Sequence, residues 1–128
     1  MNPGDLRYTH EHEWVAVDQG VATIGITDYA QKELGDIVFV DLPEVGREVA
    51  AAEELATVES VKAVAEVFTP AGGEVVEVND ALNDRPEAVN QDPYGGGWMV
   101  RLRLRDPAEV EGLMDAGAYA AFCEKGEP

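Results

Sequence analysis

Lysine is scarce in this chain of 128 residues, where Lys32, Lys62 and Lys125 are the whole set. Lysine and arginine together number 9 against 26 aspartates and glutamates, a formal net charge of -17. That imbalance makes nucleic acid and anionic membranes poor partners. It leaves two compatible readings: solubility, and electrostatic steering toward basic patches on other proteins. Cysteine is scarcer still, with Cys123 alone, which excludes an intramolecular disulfide and a thiolate metal cluster. Long apolar runs are missing, and no segment approaches the roughly 20 residues of a membrane span. The start, M-N-P-G-D-L-R-Y, has neither a signal core nor an Arg-rich presequence, so the expected location is a reducing cytoplasm.

What is present suits one domain over residues 1–128, with an ordinary globular composition of 45% hydrophobic and 27% charged residues. Short strand-like runs alternate with turn signals, the pattern of an all-β sandwich or small barrel. Trp14-Val15 opens a strand that turns at Asp18-Gln19-Gly20 into Val21 to Ile26. Asp28 is placed to cap a short helix, with Gln31 completing the box and Gly35 stopping it. Asp36 to Leu42 is a strand ended by Pro43, and Glu74 to Val78 alternates valine with glutamate. A-T-I before the first helix and A-T-V before Lys62 form a faint echo, consistent with two β units packed face to face. Residues 79 to 97 read as a long connection rich in Asn, Asp, Pro and Gly. The following strand should put Trp98, Val100, Leu102 and Leu104 on one face, with Met99, Arg101, Arg103 and Arg105 on the other, the arginines paired with carboxylates. Asp106-Pro107-Ala108-Glu109 starts a helix with a reciprocal cap, Asp115 restarts a second over Ala118 to Phe122, and Glu124 to Pro128 should fray. Trp14 and Trp98 are read as packing residues.

The organising stretch is Glu54 to Phe68, two strand-length runs meeting at Ser60-Val61-Lys62-Ala63. As a hairpin with Val61 and Lys62 at its centre, it sets Ser60 opposite Ala63, Glu59 opposite Val64 and Val58 opposite Ala65. Two-residue turns ordinarily take Asn-Gly or Asp-Gly to reach positive φ, which Val-Lys suits poorly. A local rule broken at a protruding tip points to function, and here it presents one of three amines as an attachment point.

V-E-S-V-K-A resembles the lipoyl-lysine motif of the glycine cleavage system H proteins. The similarity extends through H-E-W-V at His12 to Val15, G-I-T-D-Y-A-Q-K-E-L-G-D-I-V-F-V-D-L-P at Gly25 to Pro43, and V-N-Q-D-P-Y-G-G-G-W at Val89 to Trp98. The resemblance implies a mainly β barrel-sandwich hybrid of the lipoyl/biotinyl type, with short helices and a C-terminal helical segment. It also implies a non-catalytic carrier bearing lipoic acid on Lys62, with Glu59, Ser60, Val61 and Ala63 as the attachment motif. The implied partners are a lipoate-attaching enzyme, glycine decarboxylase (P protein), aminomethyltransferase (T protein) and dihydrolipoamide dehydrogenase (L protein). The resemblance further implies that the loaded arm folds back onto the body, and Glu13 and Glu66 are the expected contacts for its ammonium. The strand after Trp98 departs from the family in its three arginines.

Three other readings compete. A lipoyl domain of a 2-oxo acid dehydrogenase would bring a linker and Asp-Lys-Ala, whereas Val61 precedes Lys62 here. A Schiff-base lysine needs desolvation or a neighbouring cation, and Glu59 opposes it. His10 and His12 would share a face of a strand and could converge on a metal, but no third ligand accompanies them.

Overall fold

Two antiparallel sheets close over one apolar core in the computed structural model, which describes residues 6–124. In chain order the elements are β1 (Arg7–Tyr8), β2 (Glu13–Asp18), β3 (Val21–Ile26), α1 (Asp28–Leu34), β4 (Ile37–Asp41), β5 (Glu48–Val49) and β6 (Glu54–Ser60). They continue with β7 (Val64–Phe68), β8 (Gly73–Val78), α2 (Ala81–Asp84), α3 (Ala88–Gln91), β9 (Val100–Leu104), α4 (Ala108–Glu111) and α5 (Ala116–Glu124). The larger sheet runs β1, β2, β3, β9, β8, β5, and the smaller runs β4, β6, β7. The protein is mainly β, with short helices at its corners and a helix toward its C-terminus.

Alternation builds the shared core. Ile24, Val75 and Leu102 come from the larger sheet, Val40, Val58 and Val67 from the smaller, and each is at most 2% exposed. The two halves of the sequence echo, Ala22 to Ile24 and Ala56 to Val58, therefore lie in opposite sheets of one core. A second cluster of Leu6, Tyr8, Trp14 and Tyr119 fastens α5 against β1 and β2.

The first hairpin turns as its sequence demands. Gln19 and Gly20 take φ of 51° and 80°, which joins β2 to β3 through a two-residue loop. Gly25 is required for a different reason. It faces Trp14 across the ladder, and a Cβ there would lie 2.8 Å from the indole nitrogen. That nitrogen donates instead to the carbonyl of Pro93 at 2.9 Å.

Several local expectations change. The cap of α1 is Thr27, whose hydroxyl accepts from the Ala30 N–H at 3.2 Å, while Asp28 sits in the first turn and accepts from Gln31 Nε2. Threonine displaces Asp28 because its extended backbone lies one residue earlier. Gly35 does stop the helix, with φ of 80°. The connection expected over residues 79 to 97 contains α2 and α3, each one turn seated by a single buried apolar residue, Leu82 or Val89. Met99 belongs to the core at 0% exposure, since regular β9 begins only at Val100 and the alternation does not extend back to it. Trp98 lies outside that core, beneath the Arg101 guanidinium at 4.1 Å. The arginines pair as expected, Arg101 with Glu77, Arg103 with Glu74 and Arg105 with Glu48. Asp106 accepts from the Ala108 N–H, but Glu109 reaches Gly72 in place of closing a reciprocal cap. Asp115 caps α5, which runs longer than expected. Glu124, expected to begin the frayed tail, instead closes α5, and the rest of that expectation, residues 125–128, falls outside the described residues.

Candidate functional site

The hairpin of β6 and β7 has the register its sequence implies, with Val58 opposite Ala65 and Glu59 opposite Val64. The Ser60 N–H donates to the Ala63 carbonyl at 2.8 Å, closing the loop. Its tip is unstrained. Positive φ outside glycine occurs among the described residues at His12, Gln19 and Ala52, and at neither Val61 nor Lys62. The unfavourable Val-Lys turn is avoided because a side chain does the work of backbone geometry. Ser60 Oγ accepts the N–H groups of Lys62 at 3.3 Å and Ala63 at 3.0 Å, and donates to the Ala63 carbonyl. The Val61 N–H donates to the Asp36 carbonyl at 3.1 Å, which ties the tip to the corner between α1 and β4.

That corner is itself braced from behind. Asn90 of α3 donates to Gln31 Oε1 and to the Gly35 carbonyl, both at 2.9 Å, and accepts from the Ile37 N–H. Tyr94 accepts from the Asp28 N–H at 3.0 Å. The V-N-Q-D-P-Y segment thus holds the platform on which the tip rests.

Lys62 is exposed and, among the described residues, forms no ion pair. Its Cε passes Gly35 in van der Waals range, since a Cβ built there would lie 3.7 Å away. Around it Val38, Phe39, Val61 and Val64 are all more than half exposed. Phe39, Glu59 and Val64 stand in one cross-strand row, a carboxylate between two apolar side chains.

On the inner side of the hairpin an open groove of about 390 Å³ runs between α1 and β7. Ile26, Leu34, Val58 and Val67 wall it, and Glu11, Glu13, Glu33 and Glu66 are among the residues that line it. Glu13 is 2% exposed, its Oε1 accepting from the Thr9 hydroxyl at 2.6 Å and its Oε2 from the Phe68 N–H at 3.1 Å. Burial pushes its carboxyl above the ordinary glutamate value, and the two hydrogen bonds pull against that. Glu66 reaches the groove from the rim. It is exposed and shares its row with Thr57 and Asp41 on the outer face of the small sheet. The groove therefore brings the two expected glutamates to one feature in different environments.

Sequence reasoning offered His12, with His10, only as a candidate metal ligand, and the structure gives it another setting in the same groove. Thr9 to His12 form a turn, closed by the His12 N–H to the Thr9 carbonyl at 3.1 Å, so His10 and His12 do not share a strand face. Among the described residues no group of three histidine, cysteine, aspartate or glutamate side chains is placed to hold a metal. His12 has φ of 67°, stacks on Tyr29 at 4.4 Å, and is joined through Nδ1 to the Tyr119 hydroxyl at 2.7 Å. Burial holds its imidazole below the ordinary histidine value, against the opposing pull of Glu11 and Glu33. The repeated T-H-E-H-E motif signalled the place but not the chemistry.

An exposed amine on a braced hairpin beside an acidic groove suits display of a tethered group. The glycine cleavage H-protein family model matches residues 6–126. This chain belongs to that family. It is 56% identical over 120 residues to the glycine cleavage system H protein of Parvibaculum lavamentivorans, covering 94% of this chain and 96% of that protein. It is 57% identical over 117 residues to the H protein of Phenylobacterium zucineum, covering 91% and 97%. The crystal structure of a glycine cleavage system H protein from Mycobacterium marinum superposes with a TM-score of 0.86 at 42% identity, covering 98% of this chain and 99% of that one. The two-sheet architecture is thus the barrel-sandwich hybrid expected of an H protein. Within it the hairpin lysine and the groove share the corner of α1, and none of the helices is long and apolar enough to cross a membrane among the described residues.

Proposed function

We propose that this H-protein family member is a lipoyl carrier, with lipoic acid in amide linkage on Lys62. When bound, the dithiolane supplies reversible disulfide chemistry and a thiol that accepts a one-carbon group. A lipoate-attaching enzyme recognises Glu59, Ser60, Val61 and Ala63 around the amine. Glycine decarboxylase loads the arm with an aminomethyl group, aminomethyltransferase unloads it, and dihydrolipoamide dehydrogenase reoxidises it. The chain contributes display and shelter, and the catalytic residues belong to its partners.

The observation that carries this reading is the exposed, unpaired Lys62 on a turn fixed by Ser60 and Asp36. The groove fits the cargo, because its apolar walls accept an aliphatic chain and its carboxylates accept an ammonium. Glu13 holds that ammonium from the floor, where low exposure strengthens the interaction, and Glu66 holds it from the rim, where solvent weakens it. The row of Phe39, Glu59 and Val64 offers partners an apolar contact edged with negative charge.

Reconstitution tests the proposal. With purified glycine decarboxylase, exchange of labelled bicarbonate into glycine should require the lipoylated chain and be absent with the unmodified one. Equal exchange from both forms would remove the arm from the reaction.

A further inference from the structure

His12 combines two features that the lipoyl-carrier reading leaves unused. Its backbone sits in the left-handed region, which strains a non-glycine residue and is retained where surrounding structure enforces it. Its Nε2 is buried and has no hydrogen-bond partner among the described residues, while the residue is 9% exposed and lines the groove beside Glu13. A buried polar atom without a partner costs stability, so such an atom at the wall of a groove marks a place for a ligand atom.

The hydrogens can be assigned by counting. Thr27 is fully buried, and its hydroxyl oxygen already accepts from the Ala30 N–H, so its own hydrogen needs a receiver. The Tyr119 hydroxyl, 2.7 Å away, is that receiver, and its own hydrogen has two acceptors in reach, His12 Nδ1, also at 2.7 Å, and the Cys123 sulfur, of which the imidazole nitrogen is the stronger. A ring nitrogen that accepts fixes the proton on the other one. Nε2 thus carries N–H, a buried donor left unpaired among the described residues, on a side chain that lines the groove.

We propose that His12 is a further arm-binding residue, donating from Nε2–H to a neutral acceptor on the tethered group, and that Tyr119 of α5 is the positioning residue that sets its tautomer. The acceptor is either a sulfur of the arm or the amide oxygen of its linkage. The groove then reads two features of one occupant, a cation through Glu13 and an acceptor through His12. This inference rests on the lipoyl-Lys62 reading.

The test uses the full chain labelled with [15N]histidine; the tautomer is read first in the wild type, and the arm-bearing forms are compared in a Cys123→Ala background because alkylation would also modify that thiol. Only His10 and His12 give ring signals, and His10→Gln assigns them. Three forms are compared: unmodified, octanoyl-Lys62, and dihydrolipoyl-Lys62 alkylated with 2-bromoethylamine, a stable ammonium-bearing thioether. Intact mass first verifies the arm on Lys62, so failure of the carrier reading is seen separately. The expected result is an Nε2–H tautomer in every form, with its 15N and 1H shifts moved by the thioether arm. A shift with the thioether alone assigns sulfur as acceptor, and a shift with octanoyl as well assigns the amide oxygen. Tyr119→Phe, which keeps the ring stack on Tyr8, should yield mixed tautomers while circular dichroism stays unchanged. An Nδ1–H tautomer in the wild type overturns the proposal. So do His12 signals that neither arm moves, whether or not the methyls of Leu34 and Val67 report an occupied groove.

Discussion

Glu13 Oε2 accepts the backbone N–H of Phe68 at 3.1 Å, so a carboxylate of the larger sheet ends the outer strand of the smaller one. The same side chain lies on the floor of the groove, which couples the joint between sheets to the site that would shelter the cargo.

Its pH signature follows from burial. The folded-state pKa of Glu13 is raised above the ordinary 4.5, so between those values the folded state holds more protons than the unfolded chain. This group's contribution is full below the ordinary value and is lost as pH rises through the raised one. Urea midpoints measured across mildly acidic pH should fall less steeply with rising pH in Glu13→Gln than in wild type. Identical slopes would say that Glu13 titrates as in the unfolded chain.

The turn at the attachment lysine depends on one hydroxyl. Ser60→Ala removes the acceptor for the N–H groups of Lys62 and Ala63. Because those groups can turn to water, the expected cost is about 0.5 to 1.5 kcal/mol, with faster amide exchange confined to the tip. Unaltered exchange at residues 62 and 63 would mean that Val61 and Asp36 alone fix the loop.

Shelter of the cargo should divide unequally between the two glutamates. An aminomethyl thioether decays when its amine loses its proton, and a buried carboxylate opposes that loss. A hydrogen bond to a charged group is worth roughly 1.5 to 3 kcal/mol when sheltered, and each 1.4 kcal/mol is tenfold in rate. Glu13→Gln should therefore release formaldehyde about tenfold or more faster from the loaded arm, and Glu66→Gln only slightly faster. Equal release from the Glu13→Gln, Glu66→Gln double variant and wild type would assign protection to burial alone.

Encounter with partners should follow the charge of -17. Association with the decarboxylase, measured by stopped flow, should slow as salt compresses the screening length below about 8 Å, while the urea midpoint barely moves. Rates independent of salt would leave recognition to shape.

Much of this was legible in the sequence, because strands and tight turns are written in local chemistry. The register of β6 on β7 followed from matching Val58 with Ala65, and the Gln19-Gly20 turn from its glycine. The α1 cap was misplaced by one residue because Thr27 and Asp28 are both good caps and only the backbone path distinguishes them. Met99 was assigned to the wrong face because alternation fails where β9 has not yet begun. His12 was singled out in the sequence but its setting was not legible there: its orientation depends on Tyr119, 107 residues away, and on a turn that no turn-forming residue pair announces.

The claim that Lys62 is the sole attachment point is tested most directly by intact mass after co-expression with a lipoate ligase. Lys32 is paired with Asp28 on α1, which leaves Lys62 as the one lysine on a braced tip among the described residues. Wild type should gain one lipoyl group and Lys62→Arg none, although arginine keeps the charge. An equal gain in the variant would contradict the account.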